Sequence, residues 1–131
     1  DQIDNAINQL LKREYTIQER TLLQLNTDNQ LFGETNFALN EVTVLKKDTS
    51  SMIRIHAFLD DEFLNSYWAD GLIIATPTGS TGYSLSCGGP IVVPGTENFI
   101  IAPIAPHNLN VRPVIISEDR EIKLKNSDPS L

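Results

Sequence analysis

The stretch DGLIIATPTGSTGYSLSCGG, residues 70–89, decides how the chain is read. Leu72, Ile73, Ile74 and Ala75 form an unbroken apolar run of strand length, which predicts a short strand buried on both faces. Thr76, Thr78, Ser80, Thr81, Ser84 and Ser86 follow at once, interleaved with Pro77, Gly79 and Gly82, and lead into a short helix expected around Thr81 to Ser86. Pro77 restrains Thr76 to an extended conformation, and the two glycines allow a ligand closer to the backbone than a Cβ would. The hydroxyls of Thr81, Ser84 and Ser86 can each donate and accept, and the first amides of a helix point out toward the loop before it. Two readings stay open: a polar cradle for a ligand, or a Ser/Thr-rich cap and turn that needs none. The run lacks G-x-x-x-x-G-K-[ST] and G-x-S-x-G, so it is neither a P-loop nor a nucleophile elbow.

Strands are predicted on both sides of this block. Arg20 to Asn26, Phe37 to Leu45, Met52 to Leu59 and Glu62 to Trp68 precede it. Ile91 to Val93, Phe99 to Ala102, Val114 to Ile116 and Glu121 to Leu124 follow it. Ile53, Ile55, Ala57 and Leu59 alternate with Arg54 and His56, and Asp60-Asp61 supplies a tight turn to the next strand. Ile3, Ala6, Ile7, Leu10 and Leu11 lie on one stripe of a short N-terminal helix. The expected fold is mainly β: a two-sheet, sandwich-like domain with that helix at its start and a second short helix after TPTGSTGYS.

The 131 residues suit a single domain with a real core. A formal charge of −7, with no basic run longer than Lys46-Lys47, argues against nucleic acid held through its phosphates. Cys87 is the one cysteine, so no disulfide framework or four-cysteine zinc site is available within the chain. The longest apolar stretch, Phe99 to Ala105, is broken by Pro103 and is too short to span a bilayer. The expectation is therefore a soluble, cytoplasmic protein without a membrane partner. The abrupt, Met-less start and the polar tail Asn126 to Leu131 suggest a piece of a longer chain.

Three further places carry candidate chemistry. Asn40-Glu41 interrupts an apolar strand. A carboxylate beside an amide suits vicinal ribose hydroxyls, but adjacent strand residues face opposite ways unless a bulge or strand end re-aims one of them. Asp70-Gly71 ends the Tyr67-Trp68 strand and reads as a turn. His56 and His107 have no acidic residue or cysteine at metal-ligand spacing, so no metal site is expected, and His107 is read as holding a loop by hydrogen bonds. A Ser80, His107, Asp70 hydrolytic triad has the right atoms but nothing in the sequence that brings them together.

Taken in order, YTIQERTLLQL (15–25), FALNEVTVLK (37–46), DGLIIATPTGSTGYSLSCGGPIV (70–92) and PIAPHNLNVRPVIIS (103–117) resemble successive blocks of the bacterial NAD kinase (ATP-NAD kinase) family, in its C-terminal, NAD-binding domain. The resemblance implies transfer of the terminal phosphate of ATP, or of polyphosphate, to the adenosine ribose 2′-hydroxyl of NAD, giving NADP, with Mg²⁺ or another divalent metal accompanying ATP. It implies that Glu41 holds ribose hydroxyls, that Asn40 lies near adenine, and that Thr81, Gly82, Tyr83, Ser84, Leu85 and Ser86 line the dinucleotide site, with Tyr83 near adenine. Asp70 matches a position at the nicotinamide end, often supplied by a neighbouring subunit. Ser51, Trp68 and Ala105 match flanking positions. The family usually has alanine at Gly82. It forms homodimers and homotetramers.

The family's Gly-Gly-Asp-Gly loop, which carries its catalytic Asp, belongs to an N-terminal α/β domain. The only Gly-Gly here, Gly88-Gly89, is followed by Pro90, so no catalytic residue is expected in residues 1–131 and the isolated chain should be inactive. Two other classes remain: a non-catalytic nucleotide-binding or oligomerisation module, and a related lipid-type kinase. The polar 76–86 segment speaks against the apolar acceptor pocket that the lipid-type kinase needs.

Overall fold

The structure, a computed structural model, describes residues 1–47 and 51–127; the end of the expected polar tail lies outside them. Helix α1 (Gln2–Leu11) is capped by the Asp1 carboxylate, which accepts from the Ile3 amide at 3.2 Å. None of its residues is buried, and Ile3, Ile7, Leu10 and Leu11 all face outward. Among the described residues, nine strands follow: β1 (Leu23–Gln24), β2 (Phe37–Ala38), β3 (Glu41–Leu45), β4 (Ile53–Leu59), β5 (Glu62–Ala69), β6 (Gly71–Ala75), β7 (Asn98–Ile104), β8 (Val114–Ser117) and β9 (Ile122–Asn126). A 3₁₀ turn (Thr78–Thr81) and helix α2 (Tyr83–Ser86) sit between β6 and β7.

The strands form an antiparallel four-stranded sheet ordered β3-β6-β7-β8, a three-stranded sheet ordered β5-β4-β9 and a small β1-β2 pair. Strand β6 explains the architecture. Its even residues, Leu72 and Ile74, join Phe99 and Ile101 of β7 in a core shared with Ile53, Ile55, Ala57 and Tyr67 of the other sheet. Its odd residues, Ile73 and Ala75, face the opposite way and pack with Ile100, Ala102, Ile104 and Val92, with Cys87 alongside. Every residue of β6 is buried because both faces are covered, as the unbroken apolar run predicts. Fully burying one such aliphatic side chain contributes about 2 kcal/mol. The mainly β, two-sheet expectation agrees with this arrangement.

Several expected boundaries shift, each for a visible reason. Ile91 to Val93 is not a strand: Pro90 and Pro94 remove amide donors on both sides, and the segment is tied down through Val92 instead. Arg20 to Asn26 shrinks to β1, whose partner β2 is equally short. The run Phe37 to Leu45 breaks at Leu39-Asn40, because the carbonyls there accept from Thr76 rather than from a neighbouring strand. The expected Thr81 to Ser86 helix divides at Gly82, whose φ of −89° and ψ of −132° are not helical.

Candidate functional site

The Leu39-Asn40 break and the loop after β6 are built as one unit. The Thr76 amide donates to the Asn40 carbonyl at 2.9 Å, the Thr76 hydroxyl donates to the Leu39 carbonyl at 2.5 Å, and the same hydroxyl accepts from the Gly79 amide at 3.2 Å. Gly79 is buried against Asn40 so closely that a Cβ would overlap its backbone carbonyl. The buried Ser80 hydroxyl donates to the Val92 carbonyl at 3.1 Å and accepts from the Val92 amide at 3.0 Å. Thr76 and Ser80 are thus spent on structure. Pro77 and Gly82, the residues at the formal cap positions of the 3₁₀ turn and α2, make no side-chain cap bond; the hydroxyl that caps a first-turn amide is that of Thr76, one residue before Pro77.

This knot places Asn40 in the bend before β3 and Glu41 at the strand's first position, so the two residues do not lie within one regular strand. Glu41 pairs in register with Ala75, directly beside the loop. Its Oε2 atom is enclosed without a hydrogen-bond partner, and a Cβ on Gly82 would lie 3.6 Å from it. The other enclosed, unpartnered polar atom among the described residues is the Ser84 hydroxyl, which abuts Gly89; the Gly89 amide donates to the Ser84 carbonyl at 2.8 Å. Leaving such a group unsatisfied costs about 1–3 kcal/mol. Thr81, Gly82, Tyr83, Leu85 and Ser86 are exposed on the same turn, and Asn40 is exposed opposite them.

A second cluster forms at the other end of β6. Asp70 lies between β5 and β6; its Oδ1 is 2.8 Å from Lys46 Nζ, its amide donates to the Ile104 carbonyl at 2.9 Å, and its carbonyl accepts from the Lys46 amide at 2.9 Å. The Asp70-Gly71 pair is therefore a bend between sheets, with Gly71 required because a Cβ would strike the Val44 carbonyl. Trp68, about half exposed, packs against the His107 ring with centroids 4.3 Å apart and planes tilted by 39°, and Arg54 Cζ lies 5.7 Å from the Trp68 ring centre. The His107 amide donates to the Trp68 carbonyl at 2.8 Å, and Ala105 turns the chain with a left-handed φ of 45°. Ser51 is exposed two residues before Ile53, which pairs with Ala69, so it belongs to this end as well.

The candidate residues therefore fall into two groups. Asn40, Glu41 and 81–86 occupy one end of β6; Ser51, Trp68, Asp70 and Ala105 occupy the other. Six residue steps along an extended strand separate Asp70 from Thr76, roughly 20 Å. Sequence reasoning missed Lys46, which the β3-β6 pairing carries to Asp70, and the ring partnership of His107, which the loop after β7 brings to Trp68. It also missed Gly89, whose lack of a Cβ makes room for Ser84. Ser80 and Asp70, engaged with Val92 and Lys46, do not form the hydrolytic triad considered above. Burial pushes the Cys87 thiol up, which keeps it protonated and makes it a packing residue. Among the described residues, no group of three or more His, Cys, Asp or Glu side chains is placed to hold a metal ion.

Comparison with known proteins gives one answer. Residues 39–130 match the ATP-NAD kinase C-terminal domain. The chain is 56% identical over 125 residues to the NAD kinase of Cytophaga hutchinsonii and 57% identical over 127 residues to that of Flavobacterium johnsoniae, in each case over 95% of this chain and 43% of the relative. It thus spans less than half the length of these curated relatives. Among solved structures, an NAD kinase from Archaeoglobus fulgidus in complex with ATP matches 92% of this chain and 46% of its own at 30% identity and a TM-score of 0.78. Yeast NADH kinase complexed with NADH matches 71% of this chain and 26% of its own at 38% identity and a TM-score of 0.68. The chain belongs to the ATP-NAD kinase family and corresponds to its C-terminal domain.

Proposed function

We propose that this chain is the acceptor-binding domain of an NAD kinase, which holds NAD while the terminal phosphoryl group of ATP, or of polyphosphate, is transferred to the adenosine ribose 2′-hydroxyl. The observation that carries the reading is the enclosed Glu41 Oε2 with no partner, set beside Gly82 where no side chain intervenes. A carboxylate oxygen left unsatisfied at a strand end, next to an exposed amide and a turn of small residues, is a site that a ribose hydroxyl completes.

In this reading Glu41 accepts from the ribose hydroxyls, Asn40 and Tyr83 flank adenine, and Thr81, Gly82, Ser84, Leu85 and Ser86 shape the rest of the adenosine pocket. Asp70, with Ser51, Trp68 and Ala105 beside it, receives the nicotinamide end, and the partner is a second copy of the chain in a homodimer or homotetramer. The 2′-oxygen forms a bond to the terminal phosphorus as the bridging P–O bond of the donor breaks, and the hydroxyl proton passes to a base. We assign that base to the Gly-Gly-Asp-Gly loop of an N-terminal α/β domain outside residues 1–131, so residues 1–131 by themselves do not catalyse transfer. A divalent metal, Mg²⁺ or another, accompanies the donor phosphates; the described residues offer no three-ligand cluster for it, and the part played by this chain is to position the acceptor. No helix among the described residues is long and apolar enough to cross a membrane, and we place the enzyme in the cytoplasm.

Glu41→Gln in the full-length protein tests this. The variant keeps the shape and removes the charge that strengthens a hydrogen bond, so KM for NAD should rise about tenfold or more, read as NADP formed from ATP and NAD. An unchanged KM would remove Glu41 from the acceptor site.

A further inference from the structure

We propose that Lys46 sets how strongly the site distinguishes oxidised from reduced dinucleotide, by neutralising Asp70. This rests on the assignment of Asp70 to the nicotinamide end. The pair is held by the sheet as well as by its side chains: Lys46 and Asp70 are joined by a 2.9 Å backbone bond, Asp70 is bonded in turn to Ile104, and the Nζ to Oδ1 distance is 2.8 Å. The side chains are 22% and 33% exposed, so solvent screens the pair only in part. The Arg54 guanidinium near the Trp68 ring adds positive charge to the same corner, and His107 packs against that ring at a tilt.

The chemistry follows from the ligand. The nicotinamide ring of NAD is a cation and the dihydronicotinamide ring of NADH is neutral, while both carry the same carboxamide. An uncompensated carboxylate at Asp70 would favour the cationic ring. Paired with Lys46, the partly exposed carboxylate can still accept from the carboxamide but loses most of its preference for ring charge. The comparisons include both NAD kinases and an NADH kinase, so oxidation state is a variable that related proteins resolve differently.

The test compares kcat/KM for NAD and for NADH in the full-length protein. Lys46→Met should raise the NAD to NADH ratio about fivefold, the order expected of one partly screened charge, and Lys46→Arg should hold the wild-type ratio to within about twofold. In an Asp70→Asn background, Lys46→Met should no longer move the ratio. Equal losses on both substrates in Lys46→Met, or no change in the ratio while Asp70→Asn raises KM, would overturn the role of Lys46. Wild-type kcat/KM for both substrates in Asp70→Asn would instead remove Asp70 from the nicotinamide end and take the proposal with it.

Discussion

Gly79 and Gly82 sit three residues apart in the same loop and tolerate opposite things. A methyl group on Gly79 would run into the backbone carbonyl of Asn40, a neighbour that cannot swing aside. A methyl on Gly82 would meet the Gly79 carbonyl at 3.3 Å and Glu41 Oε2 at 3.6 Å, close to ordinary contact. Gly79→Ala is therefore expected to cost about 1–3 kcal/mol of stability and to raise KM for NAD by pushing Asn40 and Glu41 apart from the turn. Gly82→Ala should leave both near wild type. Thermal denaturation and steady-state kinetics on the two variants check this, and equal behaviour of the pair would contradict it. The residue types at this end were legible in the sequence because Asn40-Glu41 breaks an apolar pattern and glycines punctuate hydroxyls. The division of labour among the hydroxyls was not, since Thr76 and Ser80 find their partners 36 and 12 residues away in sequence.

At the scale of elements, the β4-β5 hairpin shows how a turn is joined to a distant strand. Asp60 and Asp61 both adopt left-handed φ, 47° and 66°, as a two-residue hairpin turn demands, and aspartate tolerates that region. Asp60 accepts from the Glu121 amide at 2.8 Å and from Arg120, while Asp61 pairs with Lys123, fastening the turn to β9. The Glu121 amide, with help from Arg120, holds the Asp60 carboxyl below its ordinary value of 3.8. A folded-state pKa below the unfolded one stabilises the protein above the ordinary carboxylate range, and this contribution fades as pH falls through the folded value. Asp60→Asn keeps the turn geometry and removes the charge, so it should lower Tm at neutral pH, with the gap closing as pH falls below the ordinary value of 3.8 and through the lower folded value. A gap that stays constant with pH would show that the charge of Asp60 contributes nothing. The alternating β4 pattern and the Asp-Asp turn made this hairpin readable from sequence, whereas Ile91 to Val93 looked equally strand-like. Proline on either side denied that segment the amides a ladder needs.

For the whole molecule, the strand register does what no linear pattern announces: it sends the two groups of candidate residues to opposite ends of β6, with Glu41 opposite Ala75 and Ile104 opposite Gly71. One copy of the chain cannot bring Asp70 to a ligand held by its own Glu41 across roughly 20 Å of strand without that ligand spanning the sheet. The proposed assembly, with Glu41 from one copy and Asp70 from the other in a shared site, would resolve the separation, and it makes an unusual prediction. Full-length Glu41→Ala and Asp70→Ala proteins, each nearly inactive alone, should recover activity when co-refolded or co-expressed. Each mixed dimer then has one site with both wild-type halves and one with neither. Random pairing makes half the dimers mixed, so recovery should approach about a quarter of the wild-type rate. Mixing that restores nothing, although mixed dimers are demonstrated by differential tags, would mean that both residues serve a ligand within a single copy. The dinucleotide would then have to lie along the sheet rather than across a boundary between subunits.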